Sequence, residues 1–117
     1  MAGFEVMRGD NGEVSVLRLK GFLDAHTASD LERAVQKLLD EKRFKIIVNF
    51  KELTYISSAG LGVFMGFIEE VRSNSGDIKL TSMSPKIFRV FDLLGFPTLY
   101  EIRDEENLAL QSFHNQK

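Results

Sequence analysis

The sequence predicts an α/β domain built on a mixed, mostly parallel sheet, and three observations support this prediction. Strand-like and helix-like segments alternate along 117 residues, a length that suits a single domain over 1–117. The run 46–48, Ile-Ile-Val, is continuously apolar, which is typical of a strand covered on both faces in a parallel sheet. Near the N-terminus, Asn11 and Gly12 separate two short strands and allow the backbone conformation that a hairpin needs. We therefore expect an antiparallel N-terminal hairpin, a parallel remainder and about four packed helices.

The first half of the chain contains the hairpin, one helix and the buried strand. Alternating apolar and polar residues predict strands over 4–8 and 14–20. A helix follows Thr27, and Asp30 three positions later completes a pattern like a capping box. Its leucine, alanine and valine residues recur at helical spacing, with the charges on the opposite face. The buried strand is predicted over 44–50.

The second half of the chain continues the alternation. A glycine-containing turn leads into a helix over 58–73, and a short strand is predicted over 78–81. Serine and proline then start a helix that ends at Gly95. A last strand is predicted over 98–102, and Asp104 is expected to cap the final helix. One stripe of the 58–73 helix is expected to face the sheet: Leu61, Phe64, Ile68 and Val71.

Composition excludes several classes of function. The net charge of -2 and the isoelectric point near 5.7, without a run of basic residues, argue against nucleic-acid binding. The chain has no cysteine and two distant histidines, so we expect no disulfide, no metal site and no cofactor. No signal peptide and no apolar run long enough to span a membrane is visible, so we expect a cytoplasmic protein without membrane contact.

The most informative segment is 55–66, in which two hydroxyl residues lead directly into an apolar helix. The unpaired N–H groups and the partial positive charge at a helix start favour an anion, or a phosphate attached to a hydroxyl. Ser58 is therefore a candidate for reversible modification. A plain helix-capping serine is the alternative interpretation.

The same helix carries three glycines, Gly60, Gly62 and Gly66, each of which weakens a helix by about 1 kcal/mol relative to alanine. They indicate either close packing against a neighbouring element or an opening that leaves the helix start accessible to a macromolecule. Three apolar residues lie outside the main stripe: Val63, Met65 and Phe67. Either neighbouring helices cover them or they form a patch for a partner protein.

Three segments carry a family resemblance when they are taken together. They are 21–27 (Gly-Phe-Leu-Asp-Ala-His-Thr), 57–62 (Ser-Ser-Ala-Gly-Leu-Gly) and 84–91 (Ser-Pro-Lys-Ile-Phe-Arg-Val-Phe). In this order, and over nearly the whole chain, they resemble the STAS domain and within it the bacterial anti-sigma factor antagonists. The resemblance implies a STAS-like fold and a protein that acts by binding other proteins rather than by catalysis.

The resemblance also implies a partner switch in bacterial signal transduction and transcription regulation. In that family an anti-sigma factor with serine-kinase activity phosphorylates the serine that matches Ser58, and a PP2C-type phosphatase removes the phosphate. The unmodified antagonist binds the anti-sigma factor and frees the sigma factor. The usual aspartate before the acceptor is Ser57 here, which creates a second candidate hydroxyl. Asp24 and Asn49 match polar family positions near the turn. The expected partner-binding residues are Asp24, Asn49, Ser57, Ser58, Ala59, Gly60, Leu61, Gly62, Val63 and Phe67.

Three other functions compete with this interpretation. Ser58, His26 and Asp24 are the residue types of a hydrolase triad, but the nucleophile motif Gly-x-Ser-x-Gly is missing and the last two sit two residues apart. Glycines at a helix start can hold a nucleotide, although neither nucleotide-binding glycine motif occurs. The strongest rival is a STAS module in another complex, such as a stressosome, a lipid-transport complex or an anion transporter.

Overall fold

The computed structural model describes residues 3–115, which form a five-stranded sheet flanked by helices. The strands are β1 (Phe4–Asn11), β2 (Val14–Leu23), β3 (Lys45–Ile56), β4 (Asp77–Thr81) and β5 (Ile102–Arg103). The helices are α1 (Ala28–Asp40), α2 (Ser58–Ser73), α3 (Pro85–Leu93) and α4 (Glu106–His114). The sheet order is β1-β2-β3-β4-β5, with β1 antiparallel to β2 and every other neighbouring pair parallel. The predicted mixed, mostly parallel sheet with an N-terminal hairpin is confirmed.

The two faces of the sheet are covered unequally. Helices α1, α2 and α3 pack on one face over a large core, in which Phe91 packs edge-on against Phe50 and Phe96 at centroid distances of 5.3 and 5.0 Å. Helix α4 alone packs on the other face, where Ala109 and Phe113 contact the first halves of β2 and β3. Among residues 3–115, no helix covers the second halves of these two strands on that face.

A buried ion pair fixes α4 to the sheet. The Nζ of Lys79, a residue that is 1% exposed, donates to the Glu101 carboxylate and to the Ser112 hydroxyl, each at 2.9 Å. It also lies 4.5 Å from the centroid of the Phe113 ring. Burial alone would raise the pKa of the Glu101 carboxyl, but hydrogen bonds from Lys79, Arg103 and Ser112 outweigh burial and hold that pKa below its ordinary value.

Several predicted strand boundaries are wrong: β1 and β2 each end three residues later than predicted, and two larger errors follow. β3 does not end at residue 50 but continues to Ile56. Instead of a strand over 98–102, a 3-10 helix occupies Phe96–Thr98, and only Ile102–Arg103 pair with β4. Gly95 adopts a positive φ of 78°, and the N–H groups of Leu99 and Tyr100 donate to the Phe96 carbonyl at 2.8 Å. Backbone groups used in this turn are unavailable to a sheet.

One of the three predicted helix caps forms. The hydroxyl of Ser84 accepts a hydrogen bond from the Ile87 N–H at 3.2 Å, as its place before a proline predicts. Thr27 occupies the N-cap position of α1, but its side chain does not cap the helix, because it is hydrogen-bonded within the preceding loop. The prediction that Asp104 caps α4 is also wrong, because Glu105 occupies the N-cap position. The Glu105 side chain makes no capping hydrogen bond.

Within residues 3–115, no helix is both long enough and apolar enough to cross a bilayer.

Candidate functional site

Two irregularities in β3 precede the serine pair, which follows the carboxyl end of this central strand. The β2–β3 register pairs Arg18 with Asn49 but Lys20 with Glu52, so β3 contains an extra residue at that point. A second shift follows between Gly21 and Phe22. Such bulges bend a strand and re-aim the side chains beyond them. They also explain why the polar sequence after residue 50 does not show strand periodicity.

The end of β3 is held by a backbone hydrogen bond. The N–H of Ser57 donates to the carbonyl of Leu23 at 2.9 Å, and the carbonyl of Ser57 accepts from the Leu61 N–H at 3.1 Å to start α2. Ser57 has an extended backbone with φ of −106° and ψ of 173°, as a residue in the N-cap position requires. The turn is therefore fixed from both sides.

The two serines differ in accessibility. The Ser57 hydroxyl is buried and has no hydrogen-bond partner within residues 3–115, so a kinase cannot reach it in this conformation. Ser58 is the first residue of α2 and is exposed. The first turn of α2 contains no acidic side chain, so the partial positive charge of the helix start is not neutralised by its own sequence. The reachable hydroxyl at this helix start is that of Ser58.

Asp24 shapes the loop beside the turn. Its Oδ1 accepts hydrogen bonds from the N–H groups of His26 at 2.9 Å and Thr27 at 3.2 Å. The Thr27 hydroxyl accepts from the Asp24 N–H at 2.9 Å and donates to the Phe22 carbonyl at 2.8 Å. Asp24 thus orders the loop that follows Leu23, the residue whose carbonyl accepts the Ser57 N–H. In this arrangement its Oδ1 contacts the His26 backbone, which is not the contact that a catalytic triad requires.

The glycines of α2 have two different roles. A Cβ added to Gly60 would lie 2.7 Å from Leu23 Cγ and 3.2 Å from Ile56 Cγ1, so the helix start can approach the sheet only with glycine there. A Cβ on Gly62 or Gly66 would meet nothing within 4 Å. Close packing therefore explains the first glycine, and the other two leave an open surface.

Several predicted partner-binding side chains are buried in the free chain. Leu61 and Val63 are each 4% exposed and belong to the large core, because α2 packs against both the sheet and α1. Phe67 is half-buried against the same core, and Gly60 is buried. In the free chain Leu61, Val63 and Gly60 therefore support the surface from below, and their part in partner binding stays a prediction. The exposed face of α2 instead contains Ser58, Ala59, Gly62, Met65 and Gly66.

Asn49 lies away from the serine turn, contrary to the expectation. It sits seven residues before Ile56 in β3, roughly 20 Å at the usual rise of a strand. Its Nδ2 donates to Glu106 Oε1 at 2.9 Å, and Arg18 forms a two-point ion pair with the same carboxylate. Burial alone would raise the pKa of Glu106, but these hydrogen bonds lower it below its ordinary value. Asn49 helps to hold α4.

An exposed aromatic pair was missed by the sequence analysis. Phe22 and Tyr55 are each 44% exposed, and their ring centroids are 5.8 Å apart. They are cross-strand neighbours at the ends of β2 and β3. Each comes one residue before a core residue of its strand, Leu23 or Ile56. Because side chains alternate between the two faces of a strand, this position was the sequence signal that could have identified the pair.

These features define the class of protein. The chain is a small α/β domain whose distinctive site is an exposed hydroxyl at a helix start, surrounded by open surface rather than by a deep cleft. The family model of the STAS domain matches residues 6–109, and the chain belongs to this family.

Individual relatives agree with the family assignment. The anti-sigma-B factor antagonist of Listeria monocytogenes is 26% identical over 102 residues, covering 87% of this chain and 89% of the relative. The unphosphorylated form of the anti-sigma factor antagonist SpoIIAA superimposes with a TM-score of 0.82 at 24% identity, covering 98% of this chain and 99% of that one. The phosphorylated form of the Bacillus cell fate determinant SpoIIAA gives a TM-score of 0.73 at 25% identity, with coverage of 95% and 99%.

Proposed function

We propose that this chain is an anti-sigma factor antagonist whose binding to a serine-kinase anti-sigma factor is switched off by phosphorylation of Ser58. A PP2C-type phosphatase reverses the modification, and the chain itself is not an enzyme. The exchange takes place in the cytoplasm. The observation that carries the proposal is the accessibility of Ser58 at an uncompensated helix start, beside a Ser57 hydroxyl that is buried.

The local electrostatics explain how a phosphate can act without unfolding the domain. A phosphate adds about −1.5 to −2 charge units at neutral pH. At the first residue of α2 this charge is favoured by the helix dipole, and no acidic side chain of the first turn repels it. The cost falls on the complex, because a protein that covers Ser58 must remove water from the phosphate. Affinity therefore falls while the fold is retained.

The exposed face of α2 supports close approach by a protein. Ser58, Gly62 and Gly66 follow one another at four-residue steps, and open space surrounds the two glycines. Met65, 49% exposed, adds a flexible apolar side chain beside this stripe. A partner surface can approach the backbone of α2 here without meeting large side chains.

The names of the relatives support the same function. The Listeria protein is an anti-sigma-B factor antagonist, and SpoIIAA has been solved both with and without phosphate. This chain aligns with these proteins over most of its length, which includes the serine turn.

The proposal is tested by capture from lysate of the native host, with mass spectrometry of the bound proteins. Wild type is expected to retain a kinase-type anti-sigma factor, and Ser58→Asp is expected to lose it. Ser75→Asp is the matched control, because it adds the same charge at an exposed residue beyond the far end of α2, about 24 Å away. Its positive φ of 66° is one that aspartate tolerates.

Two outcomes contradict the proposal. If wild type and Ser58→Asp retain the same proteins equally, Ser58 is not the switch. If wild type retains a stable set of proteins without any anti-sigma factor, the chain is a STAS module of another complex, such as a stressosome or a lipid-transport complex. Melting curves of all three proteins show whether a loss of binding reflects a loss of folding.

A further inference from the structure

The exposed aromatic pair next to the serine turn has no role in the fold core. Phe22 and Tyr55 lie on the sheet face opposite to their neighbours Leu23 and Ile56, which are in the large core. Helix α4, which packs on that face, contacts the first halves of β2 and β3 and does not reach the pair. Within residues 3–115, both rings keep 44% of their surface exposed.

The backbone is arranged so that the two rings meet. Gly21 pairs with Leu53, and regular pairing would then place Thr54 opposite Phe22. The second bulge of β3 instead places Tyr55 there, and the ring centroids lie 5.8 Å apart. A bulge that brings two large apolar side chains together costs sheet regularity and here leaves both residues 44% exposed, which favours a contact outside the chain.

The backbone that carries the pair is also fixed. The Phe22 carbonyl accepts the Thr27 hydroxyl at 2.8 Å, and its N–H donates to the Gly3 carbonyl at 3.2 Å. Tyr55 belongs to β3, two residues before Ser57. Aromatic side chains have few rotatable bonds and lose little conformational freedom when a partner covers them, and they are enriched among the residues that dominate binding energy.

The closeness of the pair to Ser58 favours one occupant. A protein contact of ordinary size covers about 800 Å² on each partner, a disc of roughly 16 Å radius. Tyr55 lies at most about 7 Å along the strand from Ser57. The pair lies on the sheet face opposite to α2 but at the same strand ends as Ser58, so a contact of this size centred on Ser58 is wide enough to include it.

We propose that Phe22 and Tyr55 are the apolar anchor through which the Ser58-directed anti-sigma factor recognises this chain, inserted in an apolar pocket beside the partner's kinase site. This proposal rests on the proposed function of Ser58 and adds the recognition element. Ser58 then determines when the complex forms, and the aromatic pair determines with which protein it forms.

The test uses the anti-sigma factor captured by wild type, purified and titrated by calorimetry against variants of the full chain. Phe22→Ser and Tyr55→Ser are each expected to weaken binding by roughly thirtyfold, the loss typical of a dominant contact residue. Tyr55→Phe keeps the ring and is expected to bind like wild type. Leu93→Ser is the matched control, because it removes an apolar side chain that is 78% exposed on α3, away from the serine turn.

A second readout separates recognition from folding and from chemistry. In a kinase assay, the serine variants are expected to raise KM for the chain and to leave kcat within twofold of the wild-type value, while melting curves confirm a folded domain. Affinities of both variants within threefold of wild type overturn the proposal while the Ser58 switch stands. If the two serine variants lose only self-association and still bind the anti-sigma factor, the pair contacts a second copy of the chain, and the proposal is also overturned. If wild type captures no anti-sigma factor, the proposed function itself fails, and this inference fails with it.

Discussion

The same substitution at two glycines of α2 is expected to have opposite effects on stability. Alanine is favoured over glycine in a helix by about 1 kcal/mol. At Gly62 the added methyl group meets nothing within 4 Å, so Gly62→Ala should keep most of this gain. We expect the free energy of unfolding to rise by about 0.5–1 kcal/mol and Tm by about 2–4 °C.

At Gly60 the methyl group has no room. It would lie 2.7 Å from Cγ of Leu23, a fully buried side chain that cannot move aside without disturbing the core, and 3.2 Å from Ile56. Overpacking of this kind costs about 1–3 kcal/mol, which exceeds the helix gain. Gly60→Ala should therefore lower the free energy of unfolding by about 1 kcal/mol, and the two variants should differ by about 2 kcal/mol.

The assay is urea unfolding of wild type and both variants, followed by circular dichroism, with the m-value compared so that only stability is scored. The reasoning is refuted if Gly60→Ala is as stable as wild type, or if Gly62→Ala is the less stable of the two variants. Either result would mean that α2 does not approach the ends of β2 and β3 as described.

Three further predictions follow from the polar contacts. Lys79→Met should cost less stability than Glu101→Gln, because the Glu101 carboxylate that it leaves behind is 26% exposed and still paired with Arg103. Glu101→Gln should cost roughly 3 kcal/mol, because it leaves the buried Lys79 ammonium without a carboxylate; urea unfolding that gives the reverse order contradicts this. The folded-state pKa of Glu106 lies below its ordinary value of 4.5, so the ionised carboxylate stabilises the fold above that pH, and this stabilisation is lost as the pH falls below it. Glu106→Gln should therefore lose less stability than wild type between pH about 5 and about 3. Equal losses of stability in acid titrations of the two proteins would exclude this contribution. Arg18→Met should show the same reduced pH dependence, because it removes the main partner of Glu106, and an unchanged dependence would argue against that pair.

The fold was predictable because local patterns and global packing agree over most of the chain. The apolar run 46–48 does lie in a central strand between parallel neighbours, and the Asn11–Gly12 hairpin forms in the expected place. The errors arose where tertiary contacts override local patterns. The segment after Gly95 has the alternation of a strand, but a positive φ at that glycine and the packing of Phe96 on Tyr100 turn it into a 3-10 helix.

The sequence points to the candidate serine turn but not to its surroundings. The motif singles out Ser58, but only the folded structure distinguishes its exposed position from the buried hydroxyl of Ser57. Sequence spacing does not reveal that Val63 is buried in the large core, or that two bulges lie between Asn49 and the turn and bring Phe22 and Tyr55 together. These features depend on the register between distant segments, which a single sequence does not determine.

The central claim is that a phosphate on Ser58 removes the partner without altering the fold. It is tested most directly by calorimetric titration of the purified anti-sigma factor with the unmodified chain and with the chain phosphorylated stoichiometrically at Ser58, with melting curves recorded for both. The account predicts that the unmodified form binds and that the phosphorylated form binds at least a hundredfold more weakly, which corresponds to about 2.7 kcal/mol of lost binding free energy. It also predicts closely similar unfolding curves for the two forms. Equal affinities, or a phosphorylated form that has lost cooperative unfolding, would contradict it.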